Sequence, residues 1–351
     1  RTKDSLTTAT CGCRPVSVSM TSRPRRSGMP TVSKKPGVTK RRLATRADVL
    51  HGIGDDAAVC KVPDGMQLAI STDTLIAGVH FPAETAPADI GYKALAVNLS
   101  DMAAMAAEPC WFSLALSMPD MDWPWLTGFS EGLFELAAEH GLQLIGGDTA
   151  RGPLAITITV HGLVPEGRAR LRSQARAGDD IWLTGSIGDA AAALRQWRSG
   201  GMQSMKLRHR LDRPNARVGV GIAVRDLARA MIDVSDGLAQ DLGHILQASG
   251  VGAELELGRL PVSSSLLDFH PDDAERWQLQ LGGGDDYELC FTAPPSHALA
   301  IEQALADCGV SASVIGHITA EPGLHCLTPD GAAFEWRQSG YRHFGNGAHV
   351  H

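Results

Sequence analysis

The sequence predicts a mixed α/β (α+β) fold divided into two units. Its 351 residues give room for about two cores at roughly 150 residues each. Strand-like apolar runs and amphipathic helical runs follow one another without regular alternation, so a doubly wound parallel sheet is not expected. Glycine–aspartate turns recur beside those runs in both halves of the chain.

Residues 1–46 hold twelve Lys and Arg against the single acid Asp4, and almost no aromatic residues. Such a segment cannot bury enough apolar surface to form a core and is expected to be disordered. Its basic, acid-poor composition also resembles a transit-like leader. The whole chain carries a net charge of −7, so the remainder is strongly acidic. That balance argues against nucleic acid as the partner of the folded part. No stretch of about 18 uninterrupted apolar residues occurs, so no membrane span is expected. The seven cysteines follow no disulfide framework and read as reduced thiols of a cytoplasmic protein. Cys11-Gly-Cys13 has no further ligands near it.

The first unit is expected over 47–164. "VLHGIGDDAAVCKV" reads as strand, glycine turn and strand, and "MQLAISTD" as a strand running into "TLIAGVHF". "PADIGYKALAVNLSDMAAMAAEP" reads as helix, with Asp89 as its N-cap and Pro109 as its stop. A buried strand "WFSLALSMP", an amphipathic helix ending at Gly141, "LQLIGGDTARG" as a strand ending in a glycine turn, and the alternating strand "LAITITVHGLVP" follow. The second unit is expected over 165–345, with a tail at 346–351. "GDDIWLTGSIGDAAAAL" reads as strand, turn and helix, as does "ARAMIDVSDGLAQDLGHILQAS". "LQLGGGDDYELCFTAP" reads as strand, turn and strand, before a helix near 297–307 and the strand "SASVIGHI".

The acidic clusters beside these elements are Asp55-Asp56, Ser71-Thr72-Asp73, Asp101, Gly147-Asp148, Asp233 with Ser235-Asp236, and Asp285-Asp286. Each has an ordinary explanation: Asp after Gly suits turns, and Ser235-Asp236 can cap the helix that follows. Asp101 is harder to explain that way. On a helix its neighbours are Val97, Asn98, Ala104 and Met105, a mostly apolar face that offers no Lys or Arg. A buried carboxylate needs a partner, and a metal ion would serve. Carboxylates with Ser and Thr oxygens form a hard donor set suited to Mg²⁺, and no Cys/His cluster suits zinc. Several Mg²⁺ ions in an acidic cleft point to a nucleoside triphosphate. However, the phosphate-binding GxxxxGK[ST] loop, a complete GxGxxG fingerprint and the protein-kinase motifs are all absent. Asp179-Asp180 and Asp272-Asp273 read as structural, and Cys290 as core.

Taken together and in order, "GIGDDAAV", "AISTDTLIAGVHF", "YKALAVNLSDMAAMAAEP", "LIGGDTARGPL", "IDVSDGLAQDLGHI" and "GGGDDYELCF" resemble the thiamine-monophosphate kinase family, over about residues 48–345. The resemblance implies a two-domain fold like that of aminoimidazole ribonucleotide synthetase, with N-terminal sheets closing a barrel across a homodimer. It implies transfer of the γ-phosphoryl group of ATP to thiamine monophosphate. By motif position Asp56, Ser71, Thr72, Asp73, Asp101, Asp148, Asp233 and Asp236 resemble the family's Mg²⁺ ligands, with Asp55 assisting. Gly147, Asp148, Arg172 and Ser235 resemble its ATP contacts. His80, Asp285 and Tyr341 resemble its thiamine-phosphate contacts, with Trp336 as an alternative ring for the thiazolium. A K⁺ requirement is left open.

Three departures stand out. Asp285 occupies a position where the family usually has Glu, the segment "EWRQSGYRHF" is longer than usual, and the opening "GEF-x-LI" helix is missing. The rival readings are another ATP-using member of the superfamily, such as selenophosphate synthetase, and a sensor that binds Mg-nucleotide without turnover. Because the acceptor is an ionised phosphate, no Ser-His-Asp or Cys-His arrangement is required.

Overall fold

A computed structural model describes residues 45–200 and 204–336, which lie in one compact body. Residues 1–44, Cys11 and Cys13 among them, fall outside the described part, as does Tyr341. Thr45 and Arg46 already belong to the body: the Arg46 N–H donates to the Gln143 side-chain oxygen at 2.8 Å, and its guanidinium pairs with Asp48.

Strands β1 (Val49–His51) and β2 (Val59–Cys60) form a small antiparallel ribbon. They are followed by β3 (Met66–Ile76), α1 (Pro87–Ala104), β4 (Glu108–Met118), α2 (Trp123–Glu139), β5 (Gln143–Arg151) and β6 (Ala155–Pro165). These four longer strands make a sheet in the order β3-β6-β4-β5, antiparallel except for β4 with β5. Period-2 alternation gives the sheet two different faces. Leu75, Phe112, Leu116, Ile156, Ile158 and Val160 are buried in the core on one face, whereas Leu68, Ile70 and Ile76 of β3 point the other way and stay exposed.

The C-terminal half begins with β7 (Asp180–Thr184) and α3 (Asp189–Ser199), then α4 (Met205–Asp212), α5 (Val218–Ala223), β8 (Met231–Asp233) and α6 (Leu238–Ser249). It continues with β9 (Gly252–Glu256), α7 (Ser264–Phe269), α8 (Asp273–Gly282), β10 (Leu289–Ala293), α9 (Ala298–Asp307), β11 (Ala312–Thr319) and β12 (Gly323–Leu327). Its six-stranded sheet runs β12-β9-β11-β7-β10-β8, and only β12 with β9 is parallel. Both faces are covered, which is why β7 and β10 read as continuous apolar runs. Trp182, Met231 and Phe291 join the core shared with α1, and Ile181, Leu183, Ile232 and Cys290 pack on the opposite side with α6.

Helix α1 links the two halves. It is buried along most of its length and packs against α2, β3 and β6 on one side and α5 and β8 on the other. The crossing with α2 is close because glycines meet backbone there. A Cβ on Gly91 would fall 2.0 Å from the Phe129 carbonyl oxygen, and one on Gly132 would fall 1.8 Å from that of Ala88.

Several local expectations are corrected. Pro87 occupies the first turn of α1 after Ala86, so Asp89 lies inside the helix and pairs with Arg213 at 2.5 Å instead of capping it. Pro109 lies within β4, and α1 has already ended at Met105. The glycines at 146 and 147 do not end β5, which runs on to Arg151. "LQLG" is the end of α8 and not a strand: Asp272 caps that helix from its side chain to the Glu275 N–H, and the apolar residues follow helical spacing. Among the described residues no helix is long and apolar enough to cross a membrane.

Candidate active site

The last turn of α1 brings acids from both halves to one place. Strand alternation turns Ser71 and Asp73 toward α1, where Asp101 accepts a hydrogen bond from the Ser71 hydroxyl. Ser100, one residue earlier, donates to Asp233 Oδ2 at 2.8 Å from the end of β8. Asp73 and Asp101 lie close enough that each shifts the other's titration, so the two carboxyls titrate as a pair. Burial, then the charges of Asp101 and Asp233, push Asp73 up to about 7. Burial and the charge of Asp101 push Asp233 up to about 7 as well, and burial raises Asp101. An acid in the last turn also opposes the helix dipole, so Asp101 does nothing for the stability of α1.

Asp73, Asp101 and Asp233 line a cleft of about 980 Å³, together with His80, Ser235, Asp236 and Asp285. The turn after β8 is held from below by Asp241, whose Oδ2 accepts the N–H groups of Ser235 and Asp236 at 3.0 and 2.9 Å. Burial, then the charge of Asp233, pushes Asp241 up to about 7. The residue before α6 is Gly237, and neither Ser235 nor Asp236 caps the helix, so the ordinary reading of that pair does not apply. Asp236 instead accepts from the Gln240 amide at 3.0 Å. His80 Nδ1 accepts the Ile76 N–H at 2.9 Å, which leaves the ring proton on Nε2 as a donor.

Other expected residues are placed differently. Ser71, Thr72 and Asp73 cannot turn three successive side chains toward one ion. Thr72 also lines the cleft, although its hydroxyl lies on the other side of the strand and pairs with that of Thr159 at 2.9 Å. Asp55 and Asp56 lie exposed beside the β1–β2 ribbon, the Asp56 N–H bound to Asp55 Oδ1 at 2.9 Å, and neither lines the cleft. Asp148 is exposed on the edge strand β5 and accepts from the Thr149 N–H at 2.8 Å. Gly147 precedes it at φ +154°, and a Cβ there would fall 1.9 Å from the Leu114 carbonyl oxygen, so packing already requires glycine at that position. Arg172 is exposed in a short 3₁₀ turn, and its positive charge favours the ionised forms of Asp101 and Asp233. Trp336 packs against the C-terminal core and not in the cleft. Among the described residues, no group of three or more His, Cys, Asp or Glu is gathered closely enough to hold a metal ion.

Sequence reasoning missed several residues in or directly behind the cleft wall. Arg195 and Arg198 of α3 bring positive charge to its wall. Buried Lys93 of α1 forms an ion pair with Asp285 at 2.9 Å, and the Tyr287 hydroxyl donates to the same carboxylate at 3.2 Å. A charge on an otherwise apolar helix was the signal that singled out Asp101; it applies equally to Lys93 in "YKALAV".

Comparison with known proteins agrees with this architecture. The family model for the AIR synthase related protein N-terminal domain matches residues 54–164, and that for its C-terminal domain matches 176–327. Thiamine-monophosphate kinase of Escherichia coli (strain K12) is 48% identical over 307 residues, covering 86% of this chain and 94% of that protein. The crystal structure of thiamine-monophosphate kinase from Stenotrophomonas maltophilia K279a superposes with a TM-score of 0.78 at 46% identity, covering 82% of this chain and 93% of the other. The structure of AaThiL complexed with AMPPCP and TMP superposes with a TM-score of 0.71 at 28% identity, covering 83% and 92%. With both halves matched and the acidic motifs in their expected order, the chain belongs to the thiamine-monophosphate kinase family.

Proposed function

We propose that the chain catalyses transfer of the γ-phosphoryl group of ATP to thiamine monophosphate, giving thiamine diphosphate and ADP, the last step in making thiamine diphosphate. The observation that carries this reading is the gathering of Asp73, Asp101 and Asp233 at one cleft, with hydroxyls and one another as their direct partners. The E. coli relative bears the name of this kinase, and AaThiL was crystallised with AMPPCP and TMP in one complex.

A phosphate oxygen of the acceptor forms the new bond to the γ-phosphorus while the bond to the β-phosphate oxygen breaks, and ADP leaves with the electron pair. The acceptor is already ionised near neutral pH, so the protein needs no general base. Its task is to align two anions and offset their repulsion.

The donor set fits magnesium. Carboxyls pushed up to about 7 are groups short of a cation, and Asp, Ser and Thr oxygens are hard ligands. Mg²⁺ is commonly held by one or two carboxylates completed by substrate phosphates and water. Asp73, Asp101, Asp233 and Asp236 would hold such ions from within the cleft, with Ser71 beside Asp101; Thr72, Asp56 and Asp148, whose side chains point elsewhere here, would join only by turning toward bound Mg-nucleotide. Bound there, Mg²⁺ would neutralise phosphate charge. Gly147, Asp148, Arg172 and Ser235 are assigned to the nucleotide, and His80, through its Nε2 proton, and Asp285 to thiamine phosphate.

The first unit (47–164) then supplies most metal ligands and the second (165–345) the rest of both pockets. A second copy of the chain is assigned to the exposed apolar face of β3, where Ile70 is 59% exposed. A cytoplasmic location accords with free Cys60, Cys110, Cys290, Cys308 and Cys326.

The test is incubation with ATP, Mg²⁺ and thiamine monophosphate, with and without K⁺, following thiamine diphosphate by chromatography. Product that EDTA abolishes is the expected result. Binding of Mg-ATP without product would favour the sensor reading, and a monomer in sedimentation equilibrium would remove the second copy.

A further inference from the structure

Lys93 is the one lysine in α1, 2% exposed, in a stretch where Ile90, Ala94, Leu95, Ala96 and Val97 are all buried. An ammonium taken out of water is costly unless it is paired and hydrogen-bonded. Lys93 meets two partners at the wall of the cleft: Asp285 Oδ1 at 2.9 Å and the His80 carbonyl oxygen at 3.2 Å. Its two partners are the residues assigned to thiamine phosphate, and they come from opposite halves of the chain.

Asp285 is also held in an unusual backbone conformation. Its φ is +67° and that of Tyr287 is +52°, in the left-handed region that side chains other than glycine seldom occupy. Hydrogen bonds from the Asp285 N–H to the Ser235 carbonyl and from the Tyr287 N–H to the Val234 carbonyl, both 2.8 Å, fix the loop to the turn after β8. Oδ1 of Asp285 then takes both the Lys93 ammonium and the Tyr287 hydroxyl. A short carboxylate on a fixed backbone has little freedom once its oxygen is pinned.

We propose that Lys93 is a positioning residue for the acceptor end of the cleft: its ammonium locks the His80 segment to Asp285 and so sets where thiamine monophosphate sits. This rests on the assignment of His80 and Asp285 to that substrate. It also accounts for an aspartate serving where the family usually carries glutamate, since the lysine fixes the shorter acid at one place.

The test is steady-state kinetics with each substrate varied in turn. Lys93→Met is expected to raise the KM for thiamine monophosphate about tenfold or more while the KM for ATP stays within about twofold. Lys93→Arg, which keeps the charge, is expected to recover part of the loss. Adding Asp285→Asn to Lys93→Met is expected to cost little more than the worse single change, because both remove one contact. An unchanged KM for thiamine monophosphate, an equal rise in both KM values, or additive losses would each overturn the proposal. Should the methionine variant fail to fold, Lys93→Gln carries the same measurement, with an intermediate rise expected and no rise overturning the role. A wild-type protein that does not phosphorylate thiamine monophosphate overturns the functional reading instead, so the two failures are told apart.

Discussion

Glu288 in β10's approach and Asp73, Asp101 and Asp233 in the cleft are all removed from water, yet they are satisfied in different ways. Glu288 is fully buried and held by the Arg217 guanidinium through two bonds of 2.6 Å, by Arg210 at 2.8 Å and by the Thr184 hydroxyl at 2.7 Å. The cleft acids meet Ser71, Ser100 and each other, and the nearest cation acting on them, Arg172, reaches them only through its field. The first arrangement is complete without a ligand and supports the fold. The second is completed only by something cationic, and it lies at the end of α1, a helix that packs against strands of both sheets. Burial of an acid is therefore not the mark of a site here, and Asp241, buried without a cation but held by two backbone N–H groups, shows that lacking a protein cation is not enough either; the cleft acids combine that lack with a place on the cleft wall.

Removing acids from each place should separate the two. Asp101→Ala is expected to lower turnover by about a thousandfold or more, comparable with losing over 4 kcal/mol of transition-state stabilisation, while the melting temperature stays level or rises because a repelling charge has gone. Retained turnover would end the distinction. Glu288→Gln is expected to do the reverse. It leaves two guanidiniums facing a neutral amide and should cost about 3–5 kcal/mol in stability, read by urea denaturation. Kinetic constants per folded molecule should change far less.

The third and smallest effect concerns pH. Asp73 and Asp233 have folded pKa values of about 7, above those of an unfolded chain. The folded state therefore holds more protons between about pH 4 and 7. The stability these groups contribute is fully present below the unfolded pKa and is lost as pH rises through about 7. In EDTA the melting temperature should fall over that window. Added Mg²⁺ should flatten the slope if the acids await a cation, whereas an identical slope with and without Mg²⁺ would count against it.

Much of the site could be read along the chain. Gly-Asp turns, a carboxylate on an apolar helix face and the order of six motifs led to Asp73, Asp101, Asp233 and Asp236, all of which reach one cleft. The ordinary explanation of Ser235-Asp236 as a helix cap is equally readable and is excluded only by Gly237 standing at the N-cap of α6 with no side-chain cap bond. Thr72 shows the limit of a motif read as a string, because adjacent strand residues face opposite ways. Lys93 shows the converse limit. Its partner lies 192 positions away in sequence, and no local spacing announces a pairing across two halves of a chain.

Composition and periodicity by themselves determined the fold class and the acidity of the body and offered the acidic clusters as candidates, because these follow from local patterns of apolar and charged residues; the choice among those clusters came from the family resemblance. Only the tertiary structure decided which acids are compensated and which are not. That property depends on which side chains α1 brings together from the two sheets. A carboxylate's pKa and partners are set by groups within a few ångströms in space, wherever they lie in the chain.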